Sequence, residues 1–125
     1  MNISTNKEIK NEQMLLSKSS DFISSLLNKP ENFVMVKLSD SLQMLFSGTN
    51  EHCCFIEIKS IGSIEPSKMS KPICEFFSNE LEISTERIYI FFQNVDSSVC
   101  GLGTAELLVE IFFCLLYTSP SPRDT

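Results

Sequence analysis

The sequence predicts an α+β fold, a two-layer sandwich in which a four-stranded mixed sheet carries two helices on one face. Two observations predict it. The order strand–helix–strand occurs twice along the chain, and the two helix-to-strand joins look alike, reading LLNKPENFVMV and ELEISTERIYI. A helix between two strands of one sheet is the usual crossover of parallel strands. We therefore interpret the fold as a duplicated βαβ unit, and this interpretation depends on pattern because the two halves share no strong residue identity.

The first unit begins with a short strand at residues 2–6, in which Ile3 is the main apolar residue. Asn11 suits the N-cap of a helix. Pro30 ends that helix at about Asn28, because the residue before a proline avoids helical backbone. The segment NFVMVKL then predicts a strand. The apolar stripe of the helix comprises Leu15, Ser19, Phe22 and Leu26, flanked by Leu16, Ile23 and Leu27.

The second unit has the same elements in the same order. SLQMLF predicts a shorter strand ahead of it, and CCFIEIKSI alternates between apolar and polar residues as a half-buried strand does. GSIEPSKMS is expected to be a loop or the loose start of a helix. The helix itself is predicted from about Ser70 to Glu82, with Pro72 in its first turn, where proline is tolerated. RIYIFF predicts the last strand, with Tyr89 and Phe91 on the side away from its isoleucines. The apolar face of the helix comprises Ile73, Phe76, Phe77 and Leu81.

Composition excludes two classes of partner. The chain has 125 residues, is 42% hydrophobic and 21% charged, and has a net charge of −6, which fits one soluble domain. Binding to nucleic acid or to an anionic membrane needs an excess of Lys and Arg, so we expect neither partner. The longest apolar run, at 107–117, is interrupted by Glu110 and is too short to span a bilayer. The amino terminus has no signal-peptide pattern.

The five cysteines are expected to be reduced, buried thiols, because their number is odd and no secretory signal precedes them. No two of them are separated by the two residues of a zinc or redox motif, and His52 is the only histidine. We therefore expect no metal site.

Four short segments occur in order and at compatible spacings: NKPENFVMV at 28–36, LFSGTNEHC at 45–53, SIGSI at 60–64 and LEISTERIYIFF at 81–92. Together they make the chain similar to the macrophage migration inhibitory factor family, which includes the D-dopachrome tautomerases. The resemblance covers about residues 2–104. It implies a homotrimer with sites at the subunit interfaces. It also implies cofactor-free keto–enol tautomerisation of phenylpyruvate-like acids, or isomerisation of dopachrome.

The family's base is an amino-terminal proline, and its chemistry can be stated physically. An ordinary α-amino group has a pKa of about 7.7–8.0. In an apolar pocket the charged form is disfavoured, so the pKa falls and the free amine persists at neutral pH. That amine can take the proton next to the ketone and return it to the other end of the enol.

Four residues of this chain would bind the substrate, by their position in the resemblance. Lys29 would hold the substrate carboxylate and stabilise charge on the enolate, although its place at a helix end also fits an ordinary solvated charge. Ile61 would offer a backbone amide, and Gly62 would let the backbone turn there. Tyr89 would reach the site of a neighbouring subunit. Phe91 stands where the better-known animal members have Asn, which would make the site more apolar.

No catalytic residue is present, because neither position 1 nor position 2 is proline. Aligned on Ser4-Thr5-Asn6, the chain begins about two residues inside the mature amino terminus of the family. At roughly 3.3 Å per residue, that shortfall moves the terminal amine by about 6–7 Å, whereas proton transfer needs about 3 Å. Two explanations stay open, a truncated gene model whose parent has the proline and a paralogue that lost catalysis, and we expect the truncation.

The tautomerase domain is predicted to span residues 1–113, and residues 114–125 are predicted to be a non-native tail. The tail, CLLYTSPSPRDT, looks like a sequencing-library adapter translated in frame. The alternative is a natural Pro/Ser-rich disordered tail.

Two functions stay open. One is a tautomerase that acts on a small aromatic keto acid. The other is a non-catalytic, cytokine-like trimer that binds a partner such as a cell-surface receptor. Family cytokines can leave cells without a signal peptide, so we expect a cytoplasmic protein, with secretion by such a route as the alternative.

Overall fold

A computed structural model shows a four-stranded sheet covered on one face by two helices, and it describes residues 1–62 and 64–96. The predicted fold class is confirmed. The predicted domain boundary, the predicted tail and two of the cysteines, Cys100 and Cys114, lie outside the described residues. Among the described residues, neither helix combines the length and apolarity needed to cross a membrane. The elements are β1 Asn2–Thr5, α1 Glu12–Leu27, β2 Lys37–Ser39, β3 Cys54–Ser60, α2 Pro66–Leu81 and β4 Ile88–Asn94.

The sheet has the order β2-β1-β3-β4 and joins two βαβ units at its centre. The first unit is β1-α1-β2, and the second unit is β3-α2-β4. Strands pair in parallel within each unit, with Ile3 beside Leu38 in the first and Ile56 beside Ile90 in the second. The two units meet through the antiparallel pair β1–β3, in which Ile3 lies opposite Ile56. The duplication predicted from sequence pattern is therefore present in the backbone.

The core lies between the helices and the inner face of the sheet. Ile3 and Ile56 from the central strands and Ile73 and Phe77 from α2 are fully buried. Burying a side chain of this size contributes roughly 1.5–3 kcal/mol. The two helices also contact each other directly, since the rings of Phe22 and Phe76 stack with centroids 4.2 Å apart. Further core residues are Leu15, Ile23, Leu27, Cys54, Ile58, Met69, Leu81 and Ile83.

Helix α1 begins and ends where the sequence predicts. The side chain of Asn11 accepts a hydrogen bond from the backbone N–H of Met14 at 3.1 Å, which satisfies one of the unpaired donors of the first turn. Asn28 ends the helix in the left-handed conformation, with φ 57°. Asparagine tolerates this conformation better than most residues. The most buried line of the helix is Leu15, Ser19, Ile23 and Leu27, one step round from the predicted stripe.

The predicted start of α2 is wrong. The helix begins at Pro66, four residues before Ser70, so Pro72 lies in the helix interior and not in the first turn. Pro66 occupies the first helical position, where its missing N–H costs nothing. The extra turn brings Met69 into the core, which extends the buried line of the helix by one residue. At the other end the helix stops at Leu81, close to the predicted end.

Two predicted strands are also wrong in part. Within NFVMVKL the structure has a short 3-10 turn at Glu31–Phe33, and the strand β2 begins only at Lys37. SLQMLF is not a strand, and only an isolated bridge joins Phe46 to Thr49. A strand needs a hydrogen-bonded partner, and β1 pairs with β2 over only three positions. Strand length here is set by the neighbouring strand and not by the apolar run.

Candidate functional site

The site predicted from the resemblance begins at the turn that follows α1. After the left-handed Asn28, the backbone N–H of Lys29 donates to the carbonyl of Ser24 at 3.0 Å. The Ser24 hydroxyl in turn donates to the Lys29 carbonyl. Both polar groups of the Lys29 backbone are therefore bonded to α1, and its side chain leaves a fixed point at the helix end.

Lys29 reaches the end of β3. Its ammonium Nζ lies 3.5 Å from the backbone carbonyl of Ile61, the residue that follows the strand. The side chain of Lys29 is half-buried and Ile61 is buried. Two predicted site residues that are 32 positions apart in sequence are thus brought together.

The backbone beside Ile61 is held in a turn. Gly62 has φ 77°, a conformation that residues with a side chain rarely adopt. The backbone therefore turns at this glycine, as the sequence predicts. The Ser60 hydroxyl donates to the Gly62 carbonyl at 2.7 Å, and the Val95 N–H donates to the Ser60 carbonyl at 2.8 Å. An ammonium beside a fixed backbone turn can bind a carboxylate by a charge-assisted hydrogen bond.

The Met1 amine lies on the neighbouring strand but not beside Lys29. It donates to the Met35 carbonyl at 2.6 Å, and burial lowers its pKa below the ordinary value of 8.0. In the antiparallel register Asn2 lies opposite Glu57, so Met1 falls opposite Ile58, two residues short of Ser60. Two strand residues correspond to about 7 Å. The register therefore places Met1 about two strand residues from the end of β3 at which Lys29 and Ile61 meet.

Tyr89 and Phe91 lie on the face of the sheet that the helices leave open. Tyr89 is 57% exposed and Phe91 is 44% exposed. Tyr89 lies beside Phe55, near the start of β3, whereas Ile61 follows the end of that strand, about 20 Å away along the strand. Within one chain the structure does not bring these two residues to Lys29. Their contribution to the site of a neighbouring subunit stays a prediction.

One residue that the sequence analysis missed organises the surroundings of Tyr89. The guanidinium of Arg87 donates to the backbone carbonyls of Phe46 at 2.7 Å, Glu51 at 2.8 Å, His52 at 3.3 Å and Thr49 at 3.4 Å. All four carbonyls belong to the segment 46–53 that precedes β3, which we call the junction loop. The sequence signal available for Arg87 was its position at the start of RIYI, two residues before Tyr89.

Cys54 and Cys74 are not activated nucleophiles. Cys53 and Cys54 are buried and Cys74 is half-buried. Burial, with a smaller effect from the neighbouring Cys53, raises the pKa of Cys54 to about 12, and burial also raises the pKa of Cys74. A thiol that stays protonated at neutral pH is a poor nucleophile. The expectation of buried thiols is confirmed for Cys53 and Cys54.

A cleft of about 440 Å3 lies elsewhere, between the segment that leads into α1 and the end of α2. Lys7, Asn11 and Leu81 are among its lining residues, and neither Lys29 nor Ile61 is. The cleft is at the amino-terminal end of α1, whereas Lys29 follows the carboxyl-terminal end, about 24 Å away along the helix. It is therefore not the candidate site.

Comparison with known proteins decides the family. The family model of the macrophage migration inhibitory factor (MIF) matches residues 1–106. The chain belongs to this family. A MIF homolog of Trichinella spiralis is 32% identical over 89 residues, which is 69% of this chain and 78% of that protein. A MIF homolog of Brugia malayi is 29% identical over 86 residues, or 66% of this chain and 75% of that protein.

Solved structures of MIF proteins have the same fold. A MIF homologue from Prochlorococcus marinus superposes with a TM-score of 0.77 at 33% identity, covering 82% of this chain and 93% of that one. The Trichinella spiralis MIF structure gives a TM-score of 0.77 at 28% identity, covering 82% and 94%. Membership in the MIF family supports a tautomerase or cytokine-like function in general terms, and oligomeric assembly is typical of the family.

Proposed function

We propose that this chain forms the site of a cofactor-free keto–enol tautomerase that acts on small aromatic keto acids, such as phenylpyruvate-like or dopachrome-like substrates. The observation that supports this most is the contact between Lys29 Nζ and the Ile61 carbonyl at 3.5 Å. The residues predicted to bind the carboxylate and to offer a backbone amide meet there at a fixed turn. The MIF family supports the same reaction class.

Lys29 would bind the substrate carboxylate and orient the ketone. Its ammonium also stabilises the negative charge that develops on the enolate oxygen when the adjacent carbon loses a proton. A backbone turn at Ile61, held by Ser60 and Gly62, would hold the substrate in one orientation. These groups do not remove the proton themselves. They make the carbon acid easier to ionise for a nearby amine.

The base would be an uncharged terminal amine that extends β1 beyond its amino-terminal end. The strand register supports this position, because a residue two places ahead of Met1 would lie opposite Ser60 and next to Ile61. Burial already lowers the pKa of the Met1 amine in the same strand, and an amine further along would meet similar surroundings. The amine would accept the proton from the carbon next to the ketone and deliver it to the enolate oxygen.

Adding two residues tests the proposal. A chain that begins Pro-Ala ahead of Met1 is expected to tautomerise phenylpyruvate at least about 100-fold faster than the unmodified chain, since the amine then reaches the substrate. The matched control begins Ala-Pro-Ala, so that the same proline nitrogen lies in a peptide bond and cannot act as a base. Equal activity of the two extended chains would contradict the proposal.

A non-catalytic, cytokine-like trimer is the second candidate function. The observation that favours it is the exposure of Tyr89 and Phe91 on the face of the sheet that the helices leave open. In that case exposed side chains such as Tyr89 would contact other subunits or a receptor. A Pro-Ala chain that binds phenylpyruvate without converting it would support this function against the first.

A further inference from the structure

The junction loop is exposed, yet its backbone carbonyls are bonded to side chains from both units. Arg87, immediately ahead of β4 in the second unit, bonds four of them. From the first unit, the Asn6 amide donates to the carbonyls of Asn50 and Glu51, and the Thr5 hydroxyl donates to that of Cys53. The Asn6 side chain also accepts the Cys53 N–H at 2.9 Å. Together, the side chains of Thr5, Asn6 and Arg87 donate hydrogen bonds to the backbone carbonyls of six residues, 46 and 49–53.

This bonding fixes the ring of Phe46 against Tyr89. Phe46 opens the junction loop, its carbonyl takes the shortest of the four Arg87 bonds, and the Arg87 guanidinium lies 5.2 Å over its ring. The Phe46 ring meets Tyr89 edge-on, with centroids 6.3 Å apart. Phe55 contacts the other side of Tyr89, with centroids 5.7 Å apart. Tyr89 is more than half exposed, and its ring contacts in the described part of the chain are those with Phe46 and Phe55.

We propose that Arg87 is a positioning residue: it holds the junction loop so that Phe46 fixes the orientation of Tyr89 for substrate binding. This inference rests on the proposed function and on the prediction that Tyr89 reaches the site of a neighbouring subunit, where it would contact the aromatic ring of the keto acid. Arg87 does not touch the substrate and acts only through Phe46. A planar guanidinium offers five donors in a fixed fork, whereas the lysine ammonium offers three on a flexible stem. Lysine therefore cannot replace it.

The test measures phenylpyruvate binding to the full chain by calorimetry. Arg87→Lys is expected to weaken the affinity about five- to tenfold, because Tyr89 loses its fixed orientation. Phe46→Leu, which keeps an apolar side chain but removes the ring, is expected to weaken it by a similar factor. Lys68→Gln is the control, because Lys68 is exposed and its ammonium pairs with Glu65, the N-cap residue of its own helix. It is expected to leave the affinity unchanged.

The double variant distinguishes positioning from general damage. If Arg87 acts through Phe46, the variant with both changes binds no more than about twofold more weakly than either single variant. Independent effects would multiply instead, and that result would overturn the inference. In the Pro-Ala extended chain, Arg87→Lys is expected to raise KM with kcat unchanged within about twofold, since Tyr89 binds substrate and transfers no proton.

Two other outcomes separate this inference from the proposed function. If the unmodified chain binds phenylpyruvate but Arg87→Lys binds equally well, Arg87 is only structural and the inference alone is wrong. If the unmodified chain binds no phenylpyruvate, the proposed function fails and this inference fails with it. Thermal unfolding of each variant shows that it is folded. If Arg87→Lys does not fold, the affinity of Phe46→Leu for phenylpyruvate tests the inference in its place.

Discussion

The two βαβ units use the same backbone turn between helix and strand but place different chemistry on it. Asn28 and Glu82 both end their helices in the left-handed conformation, with φ, ψ of 57°, 48° and 56°, 48°. In each turn a serine four residues earlier, Ser24 or Ser78, donates its hydroxyl to the carbonyl of the residue after the cap. The two turns therefore share the same cap dihedrals and the same serine hydroxyl bond, although the two halves share no strong residue identity.

The two turns differ in the side chain of the residue that follows the cap. In the first unit it is Lys29, whose ammonium extends to the Ile61 carbonyl. In the second unit it is Ile83, which is 3% exposed and belongs to the core. One backbone geometry thus presents a cation to the candidate site in one half and closes the core in the other. The site arises from one side chain on a repeated turn, and not from a special turn.

Ile83→Lys makes the second turn resemble the first, and it should have the largest effect. A lysine here would bury an ammonium among apolar residues, so we expect a loss of about 4 kcal/mol or more in the free energy of unfolding. Urea unfolding followed by circular dichroism measures it. Ile83→Leu, which keeps an apolar side chain of equal size, should cost less than about 1.5 kcal/mol. A stable Ile83→Lys variant would show that the two turns are interchangeable.

Lys29→Ile is the reverse exchange, and its effect should fall on binding. Loss of a charge-assisted hydrogen bond is expected to weaken phenylpyruvate binding by about 10- to 100-fold. Stability should stay within about 1 kcal/mol, because the Lys29 side chain is only half-buried. Calorimetry measures the affinity. Lys29→Arg keeps the cation and should retain most of the binding; equal losses in both variants would argue against a role of the charge.

Ser24→Ala and Ser78→Ala test whether the two turns are energetically equal. Each removes one hydroxyl bond to a carbonyl five residues on, so each should lower the free energy of unfolding by about 1 kcal/mol. Thermal and urea unfolding of the two variants provide the comparison. If the two losses differ by more than about 1 kcal/mol, the two hydroxyl bonds do not contribute equally to stability, although the turns have similar geometry. Ser17→Ala, at an exposed position of α1, is the control.

Ser19→Ala should have an effect no larger than those of the two turn serines, and of the opposite sign. The buried helix lines correspond position by position, and Ser19 occupies the place that Ile73 has in α2. Its hydroxyl is fully buried and has no hydrogen-bond partner among residues 1–62 and 64–96. Alanine removes that desolvated group and favours the helix, so we expect a gain of about 1 kcal/mol in urea unfolding. A loss of stability would mean that the hydroxyl is bonded in solution.

Local signals in the sequence predicted α1 well, because they act within the helix. Asn11 caps the start and Pro30 prevents continuation, and both effects are independent of the rest of the fold. The start of α2 was missed because Pro66 and Pro72 both suit a first turn. The choice between them depends on Met69 entering the core, which is a tertiary contact. The short β2 was missed for a similar reason, since its length depends on β1.

The candidate site was predicted less completely than the fold. Periodicity gives no reason to pair Lys29 with Ile61, and the resemblance to a family supplied both residues. The structure brings them together but leaves Tyr89 and Phe91 far from them within one chain. Arg87 was missed because a single arginine has no repeating pattern, and its role depends on a loop folded back from 35–41 positions earlier.

The bonded junction loop has a consequence for how the two halves can move. Exchange of a half between two copies, as in domain swapping, needs a connecting segment that can straighten into a hinge. Straightening this one would release carbonyls held by Thr5 and Asn6 on one side and by Arg87 on the other. A solvent-exposed connection is therefore not a movable one here. These bonds therefore favour unfolding of the two units together.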